Sequence, residues 1–198
     1  LATRWSEMAN RGLLRRQLRR AWADTIRTAY MDQVVSSERA LKVHFTARLM
    51  DIFWNDGVNR RVFVEPMMRL DTGARVHPDL LICNSNSIIG VVELKYQPKV
   101  RPMVDKDFAT FESLAERGTE IEIDNRRYRG PDGGRGRFAM HADPVFVWAG
   151  VYRGPIQEIP SWWPKSFDLS RLLVLHAATR AAAEPEIVAT SGRRATAL

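Results

Sequence analysis

Two apolar stretches of this 198-residue chain carry charges that a buried strand normally excludes. The first runs Val76-His77-Pro78-Asp79-Leu80-Leu81-Ile82-Cys83 and the second Gly90-Val91-Val92-Glu93-Leu94-Lys95-Tyr96. Asp79 precedes Glu93 by 14 positions, and Lys95 follows Glu93 by two. Two carboxylates and a lysine can hold a divalent cation and activate a water beside a phosphate. Strand alternation puts Glu93 and Lys95 on one face with Val91, and Val92, Leu94 and Tyr96 on the other. By the same rule Asp79 shares a face with Leu81 and Cys83. Asn84-Ser85-Asn86-Ser87 is a cluster of turn formers. A hairpin symmetric about Asn86 sets Asp79 opposite Glu93, with Cβ atoms roughly 5 Å apart. Like charges so placed destabilise a sheet. A hard cation such as Mg²⁺ or Mn²⁺ reverses that sign by taking both as oxygen ligands. Lys95, roughly 7 Å along the strand from Glu93, is placed to orient a bound water or to offset charge on a phosphate. Singly, each charge reads equally well as part of an exposed strand face with a weak ion pair. In register they make a site.

The elements that must position these residues are legible in outline. Leu41, Phe45, Leu49, Ile52 and Phe53 form a helical stripe over Ser36–Phe53, which Asn55-Asp56-Gly57 ends. Glu38 projects from that stripe near the start of the helix, as a further site carboxylate or as a first-turn glutamate favoured by the helix dipole. Glu65 competes for the same role, but Pro66 follows it and marks a strand end. Leu14, Leu18, Trp22, Ile26 and Tyr30 recur at four-residue steps, so about Arg11 to Val34 is an amphipathic helix. Arg61 to Met68 reads as a strand, with Asp71-Thr72-Gly73 as a turn. Asp105 to Arg117 is a helix with Asp105 as N-cap and Gly118 as stop. Ile121–Ile123 suggests a short strand and Pro144–Tyr152 a buried one. Leu172–Leu175 is a last strand or a helix start. Strands alternating with helices favour an α/β or mixed α+β domain.

Pro78-Asp79 followed by Glu93-Leu94-Lys95 resembles the signature of the PD-(D/E)XK nucleases, and the resemblance extends from about Ser36 to about Gly118. It implies a restriction-endonuclease-like fold, a central mixed β-sheet flanked by helices. It further implies Mg²⁺ (or Mn²⁺) as cofactor and phosphodiester hydrolysis as the reaction. Asp79, Glu93 and the Leu94 carbonyl would be the metal ligands, Lys95 the catalytic lysine, and Glu38 an added catalytic carboxylate from the preceding helix. The glutamine-rich helix motif of some branches is not recognisable in Asp105–Arg117, where Gln97 is the nearest glutamine, so no branch is assigned.

Length and composition fit one domain spanning 1–198. A basic helical segment over about 11–53 leads into a nuclease-like core over about 36–180, and an alanine-rich then polar tail covers 181–198. The net charge of +7 favours a polyanionic partner, with DNA the expected one. Arg11, Arg15, Arg16, Arg19 and Arg20 crowd the first helix, where Arg15 and Arg19 on its outer side are placed to grip phosphates or form a solvated face. Lys99, Arg101 and Lys106 occupy the connection leaving the proposed site. Arg135 belongs to a glycine- and arginine-rich loop over Asn125–Arg137 that reads as an arm, a lid or plain surface. The paired Trp162-Trp163 between prolines are a stacking surface or a plug over the core.

No apolar run is long enough to cross a membrane. No secretory signal pattern is visible, and the single cysteine, Cys83, sits among Leu81, Ile82 and Ile88 as a core thiol. Both point to the cytoplasm. The opening Leu1-Ala2-Thr3 without a methionine fits a trimmed or partial chain. The four histidines and one cysteine lack zinc-ligand spacing, and no nucleophile elbow, phosphate loop or dinucleotide fingerprint is present. His77 reads as a surface histidine or a group behind the ligands. The expected activity is therefore a metal-dependent deoxyribonuclease. The alternative is an inactive member of the same fold that binds nucleic acid or protein. A homodimer is compatible with either.

Overall fold

The computed structural model describes residues 2–70, 73–84, 87–117, 120–123, 136–156, 167–180, 183–191 and 194–198. Helix α1 (Ala2–Thr25) ends in a π-helical turn over Ile26–Tyr30, and α2 spans Glu38–Asn55. Strand β1 (Arg61–Val64) leads to a small hairpin of β2 (Met68–Arg69) and β3 (Arg75–Val76). The motif hairpin follows as β4 (Leu80–Asn84) and β5 (Ser87–Gln97), then α3 (Asp105–Arg117). The remaining strands are β6 (Glu120–Ile123), β7 (Gly136–Arg153), β8 (Leu172–Arg180), β9 (Ala183–Ser191) and β10 (Arg194–Ala197).

The strands form one mixed sheet with helices on both faces. Along its spine β1 pairs antiparallel with β4, and β4 antiparallel with β5. Strand β5 pairs parallel with β7, and β7 parallel with β8. The antiparallel hairpin of β9 and β10 finishes the spine beside β8. Strand β7 serves two partners along one edge. Its first residues pair with β6, which carries β2 and β3, and its later residues pair with β8.

Alternation divides the sheet into two cores. Leu80, Ile82, Val92, Leu94 and Val147 meet Leu14, Leu18, Trp22 and Ile26 of the first helical segment and Leu41, Phe45 and Leu49 of α2. Leu81, Cys83, Val91, Phe146 and Trp148 meet Phe108, Phe111 and Leu114 of α3. Each fully buried Leu, Ile or Phe in these layers contributes about 1.5–3 kcal/mol over leaving it exposed. Burial of Cys83 pushes its thiol up to about 12, so it is an inert core group.

Several expected boundaries shift for local reasons. The expected strand from Arg61 to Met68 breaks at Glu65, whose φ of +47° turns the chain away from β4, and β2 then joins β6 instead. Asp79, expected within a strand, lies in the break between β3 and β4 after Pro78, which has no N–H to give a ladder. The first helix starts before Arg11 and changes to π-helix at Ile26. The segment from Leu172 is a strand, not a helix, and most of the alanine-rich tail is a hairpin on the sheet. Small side chains hide the two-residue period there, yet Ala189 is fully buried. The stop after α2 is as expected: Gly57 adopts φ +64° and its N–H reaches the Trp54 carbonyl. Among the described residues no helix is long and apolar enough to cross a membrane.

Candidate functional site

Strand β5 outlasts β4, and that inequality builds the site. The last regular pair of the hairpin is Leu80 with Val92, while on its other edge β5 stays paired with β7 as far as Gln97 opposite Tyr152. The N–H groups of Leu94 and Tyr96 therefore face an edge that β4 has vacated. Two carboxylates fill it. Asp79 Oδ2 accepts from Leu94 N at 2.7 Å, and Glu38 Oε2 accepts from Tyr96 N at 3.2 Å. A strand residue's N–H and C=O point to the same side, so the Leu94 carbonyl faces this edge too. Glu38 reaches it because Ser37 caps α2, its hydroxyl accepting from Ala40 N at 3.1 Å, and starts the helix beside the end of β5.

Asp79 is fixed by three elements at once. Its backbone carbonyl accepts from Glu65 N at 2.8 Å. One carboxylate oxygen takes Leu94 N, and the other lies 2.5 Å from Lys42 Nζ of α2. Lys42 also meets Glu65 Oε1 at 2.6 Å. Burial works against the Lys42 ammonium, but bonds from Asp79 and Glu65 outweigh it and leave its pKa above the ordinary value. The same contact holds the Glu65 carboxyl below its ordinary value.

Glu93 is the electrostatic centre. It is only 7% exposed. Burial first, then the neighbouring Asp79 and Asp107, raise its carboxyl to about 9, against a smaller opposing pull from Lys95. Side-chain contact with Asp79 adds a smaller upward push. Lys95 is opposed by burial, but Asp107 and Glu38 more than compensate, so its ammonium is held above the usual range. Lys95 Nζ stands 3.2 Å from Asp107 Oδ1, and Asp107 Oδ2 accepts from Trp148 Nε1 at 3.0 Å. Burial raises Asp107 from its usual value, with Lys95 and Trp148 pulling the other way. The Trp148 ring needs the missing side chain of Gly150: a Cβ there would lie 2.2 Å from Trp148 Cη2.

The structure thus brings together Asp79, Glu93, Lys95, Glu38 and the Leu94 backbone. Asp79 and Glu93 are neighbours, but not as the expected strand pair: the register ends at Leu80 with Val92, and the turn, with an irregularity after Ile82, closes at Asn84 opposite Ser87 rather than symmetrically about Asn86. Lys42 and Asp107 complete the cluster and were not read from the sequence. Their signal was present: a lysine next to Leu41 and three before Phe45, and an aspartate preceding Phe108, both within apolar helix faces. Trp148 gave none, since a tryptophan in an apolar strand reads as core.

The basic residues divide. Lys99, Arg101 and Lys106 are exposed on the loop and helix start that follow β5. Arg15 corrects the expected outer arginine face. Its guanidinium donates to the Leu172 carbonyl at 2.9 Å, Ser191 Oγ at 2.7 Å and the Ser170 carbonyl at 2.6 Å. Burial, with Arg11 and Arg19 nearby, lowers its pKa to about 10. Arg19 joins it on Ser191 Oγ at 3.1 Å, so these two arginines fasten α1 to β8 and β9. Arg16 and Arg20 hold the exposed side instead. His77 is exposed. Arg135 and the Trp162-Trp163 pair lie outside the described residues.

The donor set suits a hard divalent cation. Asp79, Glu93 and the Leu94 carbonyl supply oxygens, and the strain of burying Glu93 beside two carboxylates is the kind a cation relieves. Among the described residues no group of three or more His, Cys, Asp or Glu side chains is arranged so that it could hold a metal ion. No family model, curated protein or solved structure matches the chain.

Proposed function

We propose that the chain is a divalent-metal-dependent nuclease of the PD-(D/E)XK type that hydrolyses phosphodiester bonds in DNA. The observation that carries this reading is Glu93, a buried carboxyl raised to about 9 beside Asp79 and Asp107, with an ammonium on the same strand face two residues on. Clustered perturbed groups of this kind are typical of reactive sites. Asp79, Glu93 and the Leu94 carbonyl would hold the ion, with Glu38 at its flank. When bound, Mg²⁺ or Mn²⁺ supplies an acidified water and charge stabilisation at the scissile phosphate. Lys95, kept protonated by Asp107 and Glu38, acts as a donor that orients the attacking water or the phosphate, not as a proton acceptor. Asp107 and Trp148 fix where its ammonium stands.

The test is cleavage of DNA and RNA in several forms with Mg²⁺ or Mn²⁺. Asp79→Ala and Lys95→Ala are each expected to lose about 10³-fold in rate, in line with removal of a preorganised charge-stabilising group. Activity surviving equally in both sinks the site. One observation favours a second reading, a non-catalytic nucleic-acid-binding member of the fold: Lys42 partly neutralises Asp79 without any cation. Calorimetric titration with Mg²⁺ separates the two. The nuclease reading requires binding with proton release, since Glu93 must ionise. No binding with or without DNA selects the binder.

A further inference from the structure

We infer that the loop from Gln97 to Val104 is a wedge that enters double-stranded DNA at an openable base step, so that the substrate class is locally distorted duplex (mismatched, bulged or branched). This inference rests on the nuclease reading and sharpens it. The loop joins the end of β5 to the start of α3, the two elements that carry Lys95 and Asp107. Whatever the loop grips is therefore beside the site.

The loop is rigid without being covered. Met103 N donates to Gln97 Oε1 at 3.1 Å, and Val100 N to the Gln97 carbonyl at 3.1 Å. Arg153 N of β7 donates to the Val100 carbonyl at 3.1 Å, and Thr179 Oγ1 of β8 to the Pro98 carbonyl at 2.9 Å. Val104 anchors its end in the core at 6% exposure. Between these pins Val100 is 55% and Met103 78% exposed. A chain held this firmly normally buries its apolar groups; here it presents two of them to solvent. Lys99, Arg101 and Lys106, in the same stretch of chain, are exposed too.

Exposed apolar tips with exposed cations on the same short stretch fit a duplex whose phosphates meet the cations while the tips enter between bases. Such side chains unstack a base step at a cost of a few kcal/mol, least where pairing is already broken. A preformed loop lowers the cost because its ordering is already met on folding. An anionic membrane would also meet apolar tips and cations, but it offers nothing for Lys95 and Asp107 a few residues away.

The experiment uses the full chain carrying Lys95→Ala, with 2-aminopurine placed beside a mismatch or a bulge. Binding is expected to be about tenfold tighter to the distorted duplex than to the matched one, a difference of about 1.4 kcal/mol, with a rise in fluorescence as the base unstacks. Val100→Ala with Met103→Ala should remove both the preference and the rise. Lys99→Ala and Lys106→Ala should weaken all DNA forms alike and each flatten the salt slope by about one. Equal affinity for matched and distorted duplexes overturns the wedge, as does tighter binding to single strands. Loop-dependent binding to phosphatidylserine vesicles without a DNA preference overturns it too. A distortion preference in a wild-type protein that cuts nothing upholds the wedge and rejects the nuclease. Cleavage without the preference does the reverse.

Discussion

Two buried polar clusters touch the same face of Trp148's strand, and they are built on opposite terms. Around His176 every group is neutral and paired. Tyr152 OH lies 2.7 Å from His176 Nδ1, Thr190 Oγ1 lies 3.4 Å from Nε2, and the His176 carbonyl accepts from Trp22 Nε1 at 3.1 Å. Burial lowers the imidazole to about 4, so it stays uncharged. Around Glu93 and Lys95 four carboxyls (Glu93, Asp79, Asp107 and Glu38) and two ammoniums crowd together, and Glu93 relaxes by holding a proton. Satisfied neutral networks fix a fold, whereas a buried cluster of like charges is strained until a proton or an opposite charge offsets them. Trp148 borders both, giving its indole N–H to Asp107 and packing its ring 6.3 Å from that of His176.

The largest effect that could break this contrast is catalytic. Lys95→Ala and Asp79→Ala should lose about 10³-fold in cleavage, while His176→Gln, which retains a hydrogen-bonding side chain, should leave the rate per folded molecule near wild type. A comparable rate loss in His176→Gln would erase the distinction between the clusters.

The pH responses should have opposite signs. Glu93 is raised from 4.5 to about 9. The metal-free fold therefore binds more protons than the unfolded chain between those values, and stability falls as pH rises through them. The loss reaches about 3 kcal/mol at pH 7. His176 is lowered from 6.5 to about 4. There the unfolded chain binds more protons, so stability is lost as pH falls from 6.5 to 4, again by about 3 kcal/mol. The two slopes should nearly cancel between pH 4.5 and 6.5, leaving the Glu93 decline alone above 6.5. Denaturant melts across pH check this. Glu93→Gln should flatten the limb above pH 6.5 and uncover the rise due to His176 between 4.5 and 6.5, and Mg²⁺ should restore stability above 6.5 in wild type and not in Glu93→Gln.

Gly150→Ala tests the bridge between the clusters. The added methyl must displace the Trp148 ring, costing about 1–3 kcal/mol as an overpacked core and freeing Asp107 Oδ2. Its Tm should fall and its cleavage rate should drop with it, whereas Tm alone would move if Trp148 were only filler. Smallest in scale is Arg15→Met, expected to destabilise by about 1 kcal/mol by removing the guanidinium from the Leu172 and Ser170 carbonyls, while Arg19 keeps Ser191 Oγ. It should leave the salt slope of DNA binding unchanged. A slope reduced by about one would return Arg15 to the phosphate-binding surface.

Much of this was legible in the chain because it depends on local periodicity. Helix α3 spans Asp105–Arg117 as expected, although Val104, whose carbonyl accepts from Phe108 N, precedes it where Asp105 was expected to cap, and the apolar stripe of α2 lies within Glu38–Asn55, close to the expected Ser36–Phe53. The alternation of Leu80 with Leu81 and of Val92 with Glu93 assigns each side chain its face. What periodicity could not convey was partnership. Arg15 looks like a solvated charge until a second element supplies its acceptors. The hairpin of β9 and β10 is held by the edge of β8, not by an apolar pattern of its own.

The sequence alone determined the alternation of faces along β4 and β5 and the apolar stripes of the helices that cover them, since both follow from the period of side chains along one chain. The tertiary structure alone decided that β4 stops short of β5, that Asp79 and Glu38 occupy the vacated N–H groups, and that Asp107 and Lys42 close the cluster. Those outcomes depend on where separate elements end in space, and burial, which depends on all of them together, is what turns Glu93 from a charged strand residue into the proton-holding centre of the site.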